Sequence, residues 1–144
     1  PNLCLSDFIA PKSSGLTDYL GFFAVTTGHN IEKQLKVFEA DHDDYNAIML
    51  KVLADRLAEA FAEKLHADVR KKIWAYAPDE AIEMKEILRE KYRGIRPAPG
   101  YPACPEHSEK ETIFELLRVN EKTGISLTEN YAMTPAASVC GYYF

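Results

Sequence analysis

Apolar residues recur every four positions at Tyr45, Met49, Leu53, Leu57, Phe61, Leu65, Val69 and Ile73. That spacing predicts one long helix, capped by Asp43 or Asp44 and running to about Trp74. At 3.6 residues per turn each four-residue step precesses by about 40°, so the ladder winds around the helix and cannot face one partner throughout. Pro78-Asp79-Glu80 is read as the start of a second helix that continues to Tyr92 and is ended by Gly94. Ser108-Glu109-Lys110-Glu111 has the form of a capping box ahead of Ile113, Phe114, Leu116 and Leu117, so a third helix is expected there. Outside this middle region, which begins near Ile31, the pattern is strand-like. Leu3–Ala10 and Tyr19–Thr26 are short aromatic and β-branched runs joined by the loop Pro11–Gly15, and Ile125–Met133 and Ser138–Phe144 return to that composition around Pro135. The expected fold class is therefore α+β, a mainly antiparallel sheet packed with a long helix and shorter helices, in a single domain over residues 1–144.

Composition narrows the function more than the fold. The chain has 144 residues, 47% of them hydrophobic and 27% charged, which is ordinary for a globular domain and sufficient for a two-layer core. A net charge of −5 with no basic stripe argues against nucleic acid and membrane surfaces as partners. The apolar run Leu20–Val25 is far short of a membrane span, and no signal peptide is visible. Cys4, Cys104 and Cys140 are an odd number at wide spacings, which fits reduced thiols in a cytoplasmic protein. The chain opens on Pro1 and stops at Tyr142-Tyr143-Phe144 within a strand pattern, so it is expected to be a piece of a larger polypeptide whose flanks complete any site.

Candidate chemistry gathers at two places. RGIRPAPGYPACPEH, residues 93–107, holds Pro97, Pro99, Pro102 and Pro105, four of the chain's eight prolines. Each proline fixes φ, removes an N–H and biases its predecessor toward extended backbone, so the segment is a pre-stiffened strap. It offers Arg96 as a carboxylate clamp, Ala98 as accessible backbone, Gly100 for close approach and Tyr101 as an aromatic face with a polar tip. That set suits a zwitterionic, sulfonium-bearing nucleoside; a plain proline-rich connector is the alternative. On the long helix, Ile48 and Val52 begin a stripe that reaches Asp55 and Glu59 at helical spacing. Those carboxylates either mark where the face turns into solvent or form a partly buried pair facing a cationic ligand group. Cys104 and His107 have C-x₂-H spacing but lack further ligands, His42 lies in an Asp-rich helix start, and His29 and His66 are read as unremarkable polar positions, so no metal site is expected. Trp74 is read as a packing anchor.

The blocks GIRPAPGYPACPEHSEK, DHDDYNAIMLKVLADRLAEAFAEKLHADVR, SDFIAPKSSGLTDYLGFFAVTTG and GISLTENYAMTPAASVCGYYF cover nearly the whole chain. Together they resemble the C-terminal activation domain of cobalamin-dependent methionine synthase. The resemblance implies binding of S-adenosylmethionine through the motif at Arg96 and Gly100-Tyr101. By that likeness Arg96 holds the methionyl carboxylate, backbone at Ala98 and Gly100 receives the nucleoside and amino groups, and Tyr101 lies by the ligand. Glu59 falls where the family has an acidic residue near the same ligand, and Asp55, one turn earlier, is expected to face the corrinoid-carrying domain. The implied activity is repair within a methyltransferase: reductive methylation of cob(II)alamin to methylcobalamin, using a methyl from S-adenosylmethionine and an electron from a flavodoxin-like donor. Cobalamin would be bound by another domain of the same polypeptide, and this domain would not be catalytic alone. Positioning and electrostatics would suffice, in keeping with the absence of a Ser-His-Asp set. No Gly-x-Gly-x-x-Gly turn is present, which excludes the usual doubly wound methyltransferase fold. Cys140 departs from the serine expected in the family, and an upstream acidic residue and a downstream tyrosine of the family's site lie outside this chain. The rival reading is a docking module without a ligand, meeting a flavodoxin-like partner or the cobalamin domain through Lys64, Arg70, Lys71 and Lys72.

Overall fold

A computed structural model describes residues 4–144. Strand β1 (Gly21–Thr26) pairs antiparallel with β4 (Ser138–Tyr143), in register from Gly21 opposite Tyr143 to Thr26 opposite Ser138. Side chains alternate across the pair, as the two-residue strand period requires. Phe23, Val25 and Tyr143 face a core with Ala62 and Val69, whereas Cys140 and Tyr142 face Ile113 with Phe22 and Ala24 beside them. The first core belongs to the long helix α2 (Asp44–Asp68), preceded by α1 (Ile31–Ala40). The second belongs to α4 (Glu109–Leu117), after the short α3 (Met84–Ile87). The sheet is thus sandwiched between helices, the α+β arrangement expected from the sequence.

The proline strap completes the sheet. Ile95 and Phe144 exchange backbone hydrogen bonds (3.3 and 3.2 Å), and Tyr142 N–H donates to the Pro97 carbonyl (2.9 Å). These bonds use the β4 edge that β1 leaves open. A proline contributes here as an acceptor only, as it must without an N–H. Gly141 makes the approach possible, since a Cβ there would lie 2.5 Å from the Pro97 oxygen.

The structure corrects several details of the sequence reading. Leu3 lies outside the described residues, and the rest of the first expected strand contains a 3₁₀ turn at Leu5–Phe8. Asp7 competes locally for that backbone, its carboxylate accepting the Cys4 N–H at 3.1 Å. Asp43 caps α2 through the Asn46 N–H (3.0 Å), and a π-helical turn, Val69–Ile73, carries the helix on to Trp74. Its buried face is small: Ala47, Ala54, Ala58 and Ala62, then His66. The large residues Tyr45, Leu53, Leu57 and Phe61 of the four-residue ladder are exposed. Alanines at helical spacing let the backbone lie close to the sheet, so shape outweighs side-chain hydrophobicity. The helix expected from Pro78 to Tyr92 shrinks to Met84–Ile87. Met84 and Leu88 are exposed, and a helical turn with no apolar face to bury is not sustained. The third helix begins where expected, but Ser108 makes no side-chain cap bond. Ile125–Met133 is a hairpin, with β2 (Ser126–Leu127) opposite β3 (Met133–Thr134) around a turn closed by Thr128 N–H to Ala132 O at 2.8 Å. The short α5 (Val119–Thr123) precedes it.

Candidate functional site

Residues from the strap, α2 and the N-terminal 3₁₀ turn surround a groove of about 660 Å³. Arg96, Pro97, Ala98, Tyr101 and Pro102 form the strap wall, Glu59 comes from α2, and Leu5 and Phe8 come from the turn. The groove opens where the strap leaves β4 at Pro97. Beyond that point the Ala98 N–H and C=O take no partner within the chain among the described residues. Tyr101 is 61% exposed and presents its ring at the rim. Of the residues singled out from the sequence, Arg96, Ala98, Tyr101 and Glu59 therefore meet at one surface.

Gly100 and Asp55 are placed differently. Gly100 does not line the groove. It has φ +99°, its N–H donates to the Cys104 carbonyl (2.7 Å), and a Cβ would stand 2.3 Å from the His107 ring. Its glycine requirement comes from a tight turn rather than from ligand space. This also gives His107 a packing role beneath the strap. Asp55 lines a neighbouring depression of about 360 Å³ with Arg56, Ser138 and Val139, and Glu59 borders both depressions. Both carboxylates are exposed, so the pair is not partly buried as one reading of the helix stripe required.

Arg96 is the best-enclosed charge in the groove. Its side chain is 16% exposed, its Nη2 donates to Glu63 Oε2 at 3.3 Å, and its guanidinium lies 5.9 Å from the centre of the Phe23 ring. Beneath it stands a buried polar layer that the sequence reading missed. His66 is 0% exposed, stacked on Tyr143 (5.2 Å) and edge-on to Tyr92 (4.9 Å). Burial, then the nearby guanidinium charges of Arg70 and Arg96, push its imidazole down to about 3. Arg70 is fully buried and grips Glu80 with two bonds of 2.9 Å while lying over the Tyr92 ring at 4.1 Å. Burial raises the Tyr143 hydroxyl well above its ordinary range. A usable signal was present, because Glu59, Glu63, His66 and Arg70 follow helical spacing along one side of α2. His66 was read as unremarkable because a histidine's burial is set by its neighbours, not its type.

Of the basic cluster assigned to docking, only Lys71 is without a carboxylate partner among the described residues. Arg70 is buried against Glu80, and Lys64 and Lys72 both pair with Asp68. Trp74 lies near Gly21 but is exposed, so it does not act as the buried packing anchor expected from the sequence. The three cysteines are free. Among the described residues, no group of three or more His, Cys, Asp or Glu side chains is placed to hold a metal, and no helix is long and apolar enough to cross a membrane.

A guanidinium with unfilled donors, free backbone amide and carbonyl groups, a rim carboxylate and an aromatic face can hold a nucleoside that bears a carboxylate and a positive charge. Sequence comparison defines the class: the model of the vitamin B12 dependent methionine synthase activation domain matches residues 1–144, and the chain belongs to that family. Among solved structures it is similar to one described as the MetH reactivation domain bound to AdoHcy. The identity is 63% with a TM-score of 0.95, over 98% of this chain. The present chain spans 43% of the length of that structure's chain.

Proposed function

We propose that the groove binds S-adenosylmethionine and that the chain acts within a cobalamin-dependent methionine synthase as its reactivation module. The observation that carries this is the convergence of Arg96, Ala98, Tyr101 and Glu59 on one groove of about 660 Å³. The structural relative binds AdoHcy, which shares the adenosine and the amino-acid end of S-adenosylmethionine. In this reading Arg96 holds the ligand carboxylate, Ala98 offers backbone partners, Tyr101 covers the nucleoside, and Glu59 favours the positive end from the rim. Gly100 acts indirectly, by setting the turn that presents Tyr101. The corrinoid, held by another domain of the polypeptide, supplies the methyl acceptor, and one electron from a flavodoxin-like donor accompanies the transfer. The residues of this chain bind the methyl donor, aim its sulfonium and leave its leaving thioether neutral, so no proton has to move. Asp55, which lines the adjoining depression, is proposed to face the cobalamin domain. Free cysteines suit a cytoplasmic protein.

The docking-module alternative is weakened because three of its four basic residues, Lys64, Arg70 and Lys72, are paired with carboxylates. Isothermal titration of S-adenosylmethionine into the longer polypeptide that carries this chain with the flanking residues on both sides separates the two. Saturable binding with a Kd below about 1 mM is expected, roughly 4 kcal/mol of affinity. Absence of binding at that concentration contradicts the assignment.

A further inference from the structure

Arg96 has few ways to hold its orientation. Around it lie the Phe23 ring, the Tyr143 phenol and an imidazole kept neutral, and Arg70, the other guanidinium of this layer, already has its own carboxylate. Glu63 is the carboxylate in contact with it, through the single bond from Nη2. Buried side-chain polar atoms without a hydrogen-bond partner also gather here among the described residues: Arg96 Nε, Glu63 Oε1, Arg70 Nη1, the Tyr143 hydroxyl and both His66 nitrogens. The two guanidiniums differ in a telling way. Arg70 is locked by two bonds of 2.9 Å to Glu80, whereas Arg96 is tethered by one bond of 3.3 Å. With the Phe23 ring packed beside it, that single tether biases how the guanidinium lies and leaves its other terminal donors for an incoming carboxylate.

We propose that Glu63 is a positioning residue: it holds Arg96 in the orientation that grips the ligand carboxylate, without itself touching ligand. This rests on the S-adenosylmethionine reading of the groove. It is not an obvious role for an acidic residue, because electrostatics alone makes Glu63 an obstacle to an arriving carboxylate. The two effects have opposite signs. If Glu63 only repels, neutralising it tightens binding. If it positions Arg96, removing it weakens binding, and a neutral acceptor of the same shape retains part of the effect.

The test titrates S-adenosylmethionine and its decarboxylated analogue, which keeps the sulfonium and amine but lacks the carboxylate, into wild type, Glu63→Gln, Glu63→Ala, Arg96→Lys and Glu63→Ala/Arg96→Lys. For S-adenosylmethionine the expected order is wild type, then Glu63→Gln, then Glu63→Ala, with a loss on the order of tenfold in the last, the scale of one charge-assisted contact. The decarboxylated analogue should bind all variants within about twofold of wild type, which shows that the groove is intact. The double variant should lose no more than Arg96→Lys alone, because both changes remove one unit. Equal or tighter S-adenosylmethionine binding in both Glu63 variants overturns the inference and leaves the groove assignment standing, and so does an equal loss of both ligands. Wild type that binds neither ligand overturns the groove assignment and the role of Glu63 with it.

Discussion

Burial decides how much each residue of the groove is expected to matter. Arg96 is enclosed and has donors left over, so Arg96→Lys should weaken S-adenosylmethionine by roughly tenfold or more, since a point-charge ammonium cannot reproduce a bidentate grip. Equal affinities in calorimetry would remove Arg96 as the clamp. Glu59 is different. From its sequence position alone it invites the effect of a desolvated ion pair, but it is exposed at the rim. Glu59→Gln is therefore expected to change affinity by no more than a few fold, about 1 kcal/mol or less, and the change should fade at 0.5 M salt. A salt-independent loss of a hundredfold would mean that the ligand buries this carboxylate. His66 acts on stability rather than on ligand. An unfolded histidine titrates near 6.5, whereas the folded imidazole is pushed down to about 3. Below about pH 6.5 the unfolded chain thus takes up a proton that the folded chain refuses, and stability falls as the pH drops toward 3. The full slope is about 1.4 kcal/mol per pH unit. His66→Phe keeps an aromatic ring in the stack and removes this term. Urea unfolding of both proteins at pH 7.5 and 5.5 should show wild type losing about 1 kcal/mol more than the variant, whereas parallel losses would mean that His66 is protonated in the folded state.

At the scale of elements, the strap shows an anchorage to β4 that the sequence left open. Its prolines announced an extended segment, and the pairing through the Pro97 carbonyl and Ile95 depends on partners more than forty residues away. Gly141 is the clearest test of that anchorage. Gly141→Ala puts a Cβ 2.5 Å from the Pro97 oxygen and 3.0 Å from the Phe23 ring, so the strap or the strand has to move. Overpacking of this kind is expected to lower stability by about 1–3 kcal/mol and to weaken ligand binding with it, as read by thermal melting and calorimetry. An unchanged melting temperature would mean that the strap is not held to β4. The long helix, its Asp43 cap and the strand segments that become β1 and β4 were legible because each follows from local spacing, whereas the pairing of those two strands across more than a hundred residues was not. The alanine face of α2 was not, because periodicity identifies large apolar residues while the sheet demanded small ones. The stretch after Pro78 misled for a related reason: helix propensity was present without anything to pack against, and Glu80 was recruited by Arg70. Arg96, Ala98, Tyr101 and Glu59 could be found from type and spacing, whereas Glu63 and His66 needed the burial that only folding supplies.

For the molecule as a whole, the sheet, its two helical layers and the strap make one scaffold. It presents a cation, free backbone and an aromatic face on one side of a shallow groove and a carboxylate on the other. The same face continues into the depression at Asp55 through the shared Glu59. Membership of the activation-domain family is consistent with chemistry that relies on placement rather than on proton transfer. The most direct measurement is a crystal structure of the protein with S-adenosylmethionine or S-adenosylhomocysteine bound. The account predicts the ligand carboxylate within about 3 Å of the Arg96 guanidinium, the nucleoside along Ala98 to Tyr101, and Glu63 still bonded to Arg96 without touching the ligand. Ligand bound instead in the separate aromatic depression lined by Tyr19, Trp74 and Tyr76, or in the groove with its carboxylate turned away from Arg96, would contradict it.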